Sequence, residues 1–175
     1  MNDFIRVPYG STVHGDDEIN AVVDVLKTTT QMSKNVREFE SKVAERYSKD
    51  FGIMVNSGTS ALYLAIEAMN FPKGGEVITP ALTFGTTVAS LVNNGLIPVF
   101  VDVKKNTYCI DETQIEEKIN ENTVAIAAPD LMGNICEWPL IRDLANKYNL
   151  KVLVDSADTI GATYGGVSTG TFADV

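Results

Sequence analysis

Three stretches of this chain carry residues that could do chemistry, and each closes or follows a short apolar run. "NSGTSAL", residues 56–62, sets Ser57, Thr59 and Ser60 around Gly58, where a tight turn leads into an expected helix. Free N–H groups and the helix dipole at such a start attract an anion. Phe84 follows the run "EVITP", where an aromatic ring could cover a flat ligand. "KVLVDSAD" runs straight from apolar residues into Asp155, with Asp158 close behind. A carboxylate at the end of a buried run is costly without a partner, and no cation nearby in the sequence supplies one. Read singly, these are a Ser/Thr helix cap, a core phenylalanine and a capped or ion-paired aspartate. Read together, they are an anion cradle, an aromatic face and an acid in search of a cation.

Phosphate, flat ring and ring cation occur together in one small molecule, pyridoxal 5'-phosphate (PLP). An ionised Asp155 beside its pyridine nitrogen keeps that nitrogen protonated, because an opposite charge favours the charged form. A protonated ring is the better electron sink for negative charge formed on a substrate.

The elements that must position these residues alternate along the chain. "GDDEINAVVDVLKT" and "NVREFESKVAERY" carry apolar residues at helical spacing. The continuous apolar runs "FGIMVN", "EVITP", "IPVFVDV", "TVAIAAP" and "KVLVDSA" read as strands covered on both faces. Between them "TSALYLAIEAM", "TTVASLVNN", "DETQIEEKI" and "PLIRDLANKY" read as helices. Strand alternating with helix predicts a parallel sheet, and ligands of such sheets bind beyond the carboxyl ends of the strands. The four cradle residues, Phe84 and Asp155 all fall there, and so does the turn glycine Gly133 in "DLMGN".

Composition excludes several classes. The 175 residues carry 14 basic and 23 acidic side chains, a net charge of -9, which argues against a nucleic-acid backbone binder. The N-terminus "MNDFIRVPYG" has no apolar signal core, and no apolar run is long enough to span a membrane. Cys109 and Cys136 are distant in sequence and read as free thiols of a reducing, cytoplasmic compartment. The single histidine, His14, has no Cys or His neighbours and reads as a loop residue, with no metal site expected. A nucleotide-binding α/β domain is weakened by the missing G-x-G-x-x-G after a first strand.

"VNSGTSALYLAIEA", "EVITPALTFGTTVASLVNNGLIPVFVDV" and "VLVDSADTIGATYGG" together resemble the DegT-type sugar aminotransferases, PLP enzymes of the aspartate aminotransferase superfamily. The resemblance runs from "MSKNVREFE" to the end of the chain. It implies a parallel-rich three-layer α/β/α sheet of the PLP transferase large-domain type, here incomplete. Residues 1–30 are then an N-terminal arm and first helix, and residues 31–175 the first part of the PLP-binding large domain. It also implies amino transfer from an amino acid such as glutamate to a nucleotide-linked keto sugar, in a homodimer. By this match Ser57, Gly58, Thr59 and Ser60 take the phosphate, Phe84 stacks on the ring, and Asp155 pairs with the ring nitrogen.

The chain departs from the family pattern at two points. No lysine matches the Schiff-base lysine, whose position falls beyond Val175. The expectation is therefore a front part of a longer enzyme, inactive alone and without a covalent lysine–cofactor bond. Asp158 stands where these aminotransferases carry glutamine or histidine, next to the ring hydroxyl. An aspartate there is similar to the related sugar 3-dehydratases, which keep pyridoxamine 5'-phosphate, and "QMSKNV", "LMGN" and "TGTFAD" lean the same way. "GTSAL" leans toward the aminotransferases. Aminotransferase stands first and 3-dehydratase second. A chain with only folding or association properties remains the alternative from another class.

Overall fold

The computed structural model describes residues 5–8, 10–31 and 34–175, so Met32 and Ser33 of the "QMSKNV" stretch lie outside the described residues. The chain forms two compact units, Met1–Val36 and Arg37–Val175. In the first, helix α1 (Asp16–Thr28) starts at Gly15, whose N–H donates to the Glu18 carboxylate at 2.7 Å. Asp16, Asp17 and Glu18 in its first turn and Lys27 in its last complement the helix dipole. Helix α2 (Lys34–Arg46) follows.

The second unit is built on four parallel strands: β1 (Glu76–Pro80), β2 (Ile97–Val101), β3 (Thr123–Pro129) and β4 (Lys151–Asp155), in the order β2-β1-β3-β4. Helices α3 (Gly58–Ala68), α4 (Gly85–Asn93) and α5 (Trp138–Tyr148) alternate with them in sequence. The continuously apolar runs now have their reason. Val77, Ala125, Ala127 and Leu153 pack with Ile66 of α3 and Leu91 of α4. Their strand neighbours Ile78, Ile126, Ala128 and Val152 point the other way and pack with Trp138, Ile141 and Ala145 of α5. Both faces of every central strand are covered, which makes three layers, α/β/α.

Two predicted elements differ. "FGIMVN" forms no strand: Phe51 and Ile53 are 87% and 84% exposed. A strand needs a neighbour for its backbone groups, and the outer edge of β4 is already used by Asp174 and Val175, which bond to Val152 and Val154. "DETQIEEKI" forms two short 3-10 turns, Glu112–Gln114 and Glu116–Lys118, in place of one α-helix. The tight turns deliver Ile115, fully buried, and Ile119 to the core beneath α5.

Asp174 fastens that outer edge of β4. Its carboxylate accepts from Arg142 Nη2 at 2.8 Å, Lys151 Nζ at 3.0 Å and the Val152 N–H at 2.8 Å. Burial pushes the carboxyl up, but these donors together outweigh it and hold it at about 2, below the ordinary 3.8. A depressed folded value stabilises the charged form, so the contribution is complete above pH 3.8 and is lost as pH falls through about 2. Urea denaturation of Asp174→Asn should therefore show lower stability than the parent at pH 6, with the gap closing as both are taken down through that window. A gap that does not change with pH would remove the ion pairs from the account.

Cys109 and Cys136 are free, and both are buried in the core around α5. Among the described residues no helix is long and apolar enough to cross a membrane.

Candidate active site

Asp155 is the last residue of β4, paired in register with Pro129 at the end of β3. It lies at the carboxyl end of the sheet, as the sequence predicts. Its side chain is half-buried. One carboxylate oxygen accepts from Thr87 Oγ1 at 3.0 Å and the other from the Ala157 N–H at 3.2 Å. Among the described residues Asp155 has no ion-pair partner, so its place for a cation is open to a ligand.

Thr87 escaped the sequence reading. It sits in the first turn of α4 with 1% exposure, and its N–H donates to the Phe84 carbonyl at 3.0 Å. Phe84 is the N-cap residue of α4 and is 70% exposed, so a large aromatic face stands free. The prediction of a Phe84 ring near Asp155 thus acquires a physical link: one helical turn carries both the aromatic and the hydroxyl that holds the acid. The available signal was the spacing of Phe84 and Thr87, three residues apart at an expected helix start.

Ser57 caps α3 by accepting from the Ser60 N–H at 3.1 Å, and its hydroxyl donates to Ser60 Oγ at 3.1 Å. Gly58 and Thr59 open the helix, and the first N–H groups of a helix have no partner within it. A Cβ at Gly58 would meet nothing within 4 Å, so the space over this turn is open. Thr59 and Ser60 share a cavity of about 310 Å³ with Ser90 of α4. The cradle segment thus lies along the same α3–α4 pair that carries Phe84 and Thr87, although no hydrogen bond joins Ser57, Gly58, Thr59 or Ser60 to Asp155 among the described residues.

Asp158 is exposed and lies in the segment after β4. Its carboxylate accepts from the Met132 N–H at 2.9 Å. Met132 and Gly133 both take left-handed backbone, with φ of 56° and 85°. A glycine is at ease there and a methionine is not. The Asp158 bond is one compensation for that turn.

These groups fit PLP on the structure's own terms. The open helix start with uncharged N–H and hydroxyl donors suits a phosphate. The exposed Phe84 ring suits a flat heterocycle, and Asp155 lacks the cation a protonated ring nitrogen would be. The Thr83 hydroxyl, in the residue before Phe84, is buried and without a hydrogen-bond partner among the described residues. His14 is exposed, and no cluster of metal-ligating side chains occurs among the described residues.

Comparison with known proteins agrees. The family model described as DegT/DnrJ/EryC1/StrS aminotransferase family matches residues 13–175. A dTDP-4-dehydro-2,6-dideoxy-D-glucose 3-dehydratase of Saccharopolyspora spinosa is 36% identical over 96% of this chain and 38% of its own length. A GDP-perosamine synthase of Caulobacter vibrioides is 34% identical over 99% of this chain and 47% of its own length. The solved structure of E. coli GDP-4-keto-6-deoxy-D-mannose-3-dehydratase with bound hydrated PLP superposes with a TM-score of 0.87 and 30% identity, over 93% of this chain and 44% of that one. The chain thus spans less than half the length of these relatives. With the model matching nearly all of it, the chain belongs to the DegT/DnrJ/EryC1/StrS aminotransferase family.

Proposed function

We propose that this chain forms the cofactor-cradling part of a PLP-dependent aminotransferase that moves an amino group from an amino acid such as glutamate to a nucleotide-linked keto sugar. The observation that carries the reading is Asp155, an acid at a strand's carboxyl end held by Thr87 and Ala157 and without an ion-pair partner among the described residues. PLP, when bound, supplies an electron sink for negative charge formed on the substrate. Asp155 holds the proton on the ring nitrogen. Ser57, Gly58, Thr59 and Ser60 fix the phosphate, and Phe84 covers one ring face and excludes water from it. Asp158 reaches the ring hydroxyl. The protein works as a cytoplasmic homodimer.

A second reading, a nucleotide-sugar 3-dehydratase using PLP or pyridoxamine 5'-phosphate, draws on Asp158, whose carboxylate is directed by the Met132 N–H. The two readings share every residue named above and differ in the product.

Protein incubated with PLP and passed through gel filtration should retain cofactor absorbance, less of it in Ser60→Ala and Phe84→Ala. With the full-length enzyme, a nucleotide-linked keto sugar and glutamate should release 2-oxoglutarate in step with an amino sugar, and the enzyme should sediment as a dimer. A deoxy product without net amino transfer would select the dehydratase. No cofactor retained after gel filtration at any PLP concentration, by either the chain or the full-length enzyme, would sink both readings.

A further inference from the structure

Asp130 follows β3 and is fully buried, though nothing in its sequence context singles it out. Its N–H donates to the Asp155 carbonyl at 3.1 Å, so the two acids end neighbouring strands side by side. Its carboxyl receives two N–H groups on the same oxygen, Oδ1: the Cys136 N–H at 2.9 Å and the Trp138 indole N–H at 2.8 Å. Oδ2 is buried with no partner in bonding geometry, and so is Thr159 Oγ1. Thr159 is nevertheless among the side chains that act on the Asp130 carboxyl, so its hydroxyl lies close to that group. A hydroxyl has one rotatable proton, and a small turn of either group joins them.

Both N–H donors converge on one oxygen, which has lone pairs for two. Burial pushes this carboxyl above its ordinary value, against the pull of Cys136, Trp138 and Thr159. Asp130 therefore meets three places at once: Cys136, beyond the Met132–Gly133 turn; Trp138, at the start of α5; and Thr159, next to Asp158.

We infer that Asp130 is a positioning residue of the cofactor site, tying the connection after β3 to the segment after β4 so that Asp158 and the Met132 N–H stay in register. The link to the cofactor rests on the proposed function; the hydrogen-bond chain itself does not. Asn at this position reproduces the pattern, with its carbonyl accepting twice and its NH₂ donating to Thr159. Leu matches the shape and offers neither.

Nuclear magnetic resonance separates the cases in the protein without cofactor. Trp138 is the single tryptophan, so one indole N–H signal reports the Asp130 bond. Asp130→Asn should keep that signal protected from solvent and keep the Met132 amide slow. Asp130→Leu should expose the indole N–H and speed Met132 amide exchange about tenfold, the upper scale of one net hydrogen bond. Should Asp130→Leu not fold, Thr159→Val carries the test, because it removes only the hydroxyl. It should speed Met132 exchange and leave the indole signal in place. Unchanged Met132 exchange in Thr159→Val, or loss of both signals in Asp130→Asn, overturns the inference. PLP absorbance recorded on the same variants reads the other question. If the parent never binds PLP, the proposed function fails while the exchange rates still decide the role of Asp130.

Discussion

Asp155→Asn is expected to fold like the parent and to cut turnover of the full-length holoenzyme by roughly 100-fold or more, the scale on which one preorganised electrostatic partner contributes. The fold survives because asparagine keeps both local bonds. Its carbonyl accepts from the Ala157 N–H, and its NH₂ donates to Thr87 Oγ1, which turns its own proton away. The charge does not survive. An amide beside the ring nitrogen no longer favours its protonated form, so the ring becomes a poorer sink for substrate charge. The measurement is kcat for amino transfer, with thermal melting as the control for folding. Near-normal turnover would remove Asp155 from the ring nitrogen and leave it as a strand-end residue held by Thr87.

Trp138→Ala should destabilise the protein by about 3–5 kcal/mol, the cost of deleting a large buried aromatic from a close-packed core. Trp138 is fully buried among Ile78, Ile110, Ile126 and Ile141, on the face of the sheet that α5 covers. The substitution also removes the indole donor from the Asp130 oxygen that it shares with the Cys136 N–H. Against a total stability of roughly 5–15 kcal/mol this is a large fraction. Thermal melting should fall by about 10 °C or more for a chain of this size. Phe at the same position refills most of the space but not the hydrogen bond, so Trp138→Phe should recover most of the loss. A melting point for Trp138→Ala within a few degrees of the parent would mean that α5 is not anchored through this residue.

Much of the candidate site's local structure was legible because helix starts and strand ends are written in neighbouring residues. The start of α3 is announced by "NSGTS", and the structure places a Ser57 cap and a Gly58 opening there. Asp155 was legible for the same reason: an apolar run that stops at an acid marks both the strand and its end. Thr87 and Asp130 were not legible. Thr87 lies 68 positions from the carboxylate it holds, and no spacing rule reaches across β2, β3 and α5. Asp130 reads as a surface turn residue until Trp138 and Cys136 fold over it. The "FGIMVN" run shows the reverse error, since apolar and β-branched residues supply strand propensity but not a neighbour to pair with.

The sequence by itself determined the alternation of strand and helix, the parallel sheet with both faces covered, the family, the Ser/Thr cap that opens α3 and the acid that ends β4. Periodicity, capping and run length are properties of neighbouring residues, and they survive without coordinates. Only the tertiary structure decided which strands pair and in what order, that Thr87 rather than a charged group holds Asp155, and that Asp158 is tied to a left-handed turn at Met132. Those facts depend on contacts between residues far apart in the chain. Such contacts form only when burial of the apolar faces offsets the entropy of closing the loops between them.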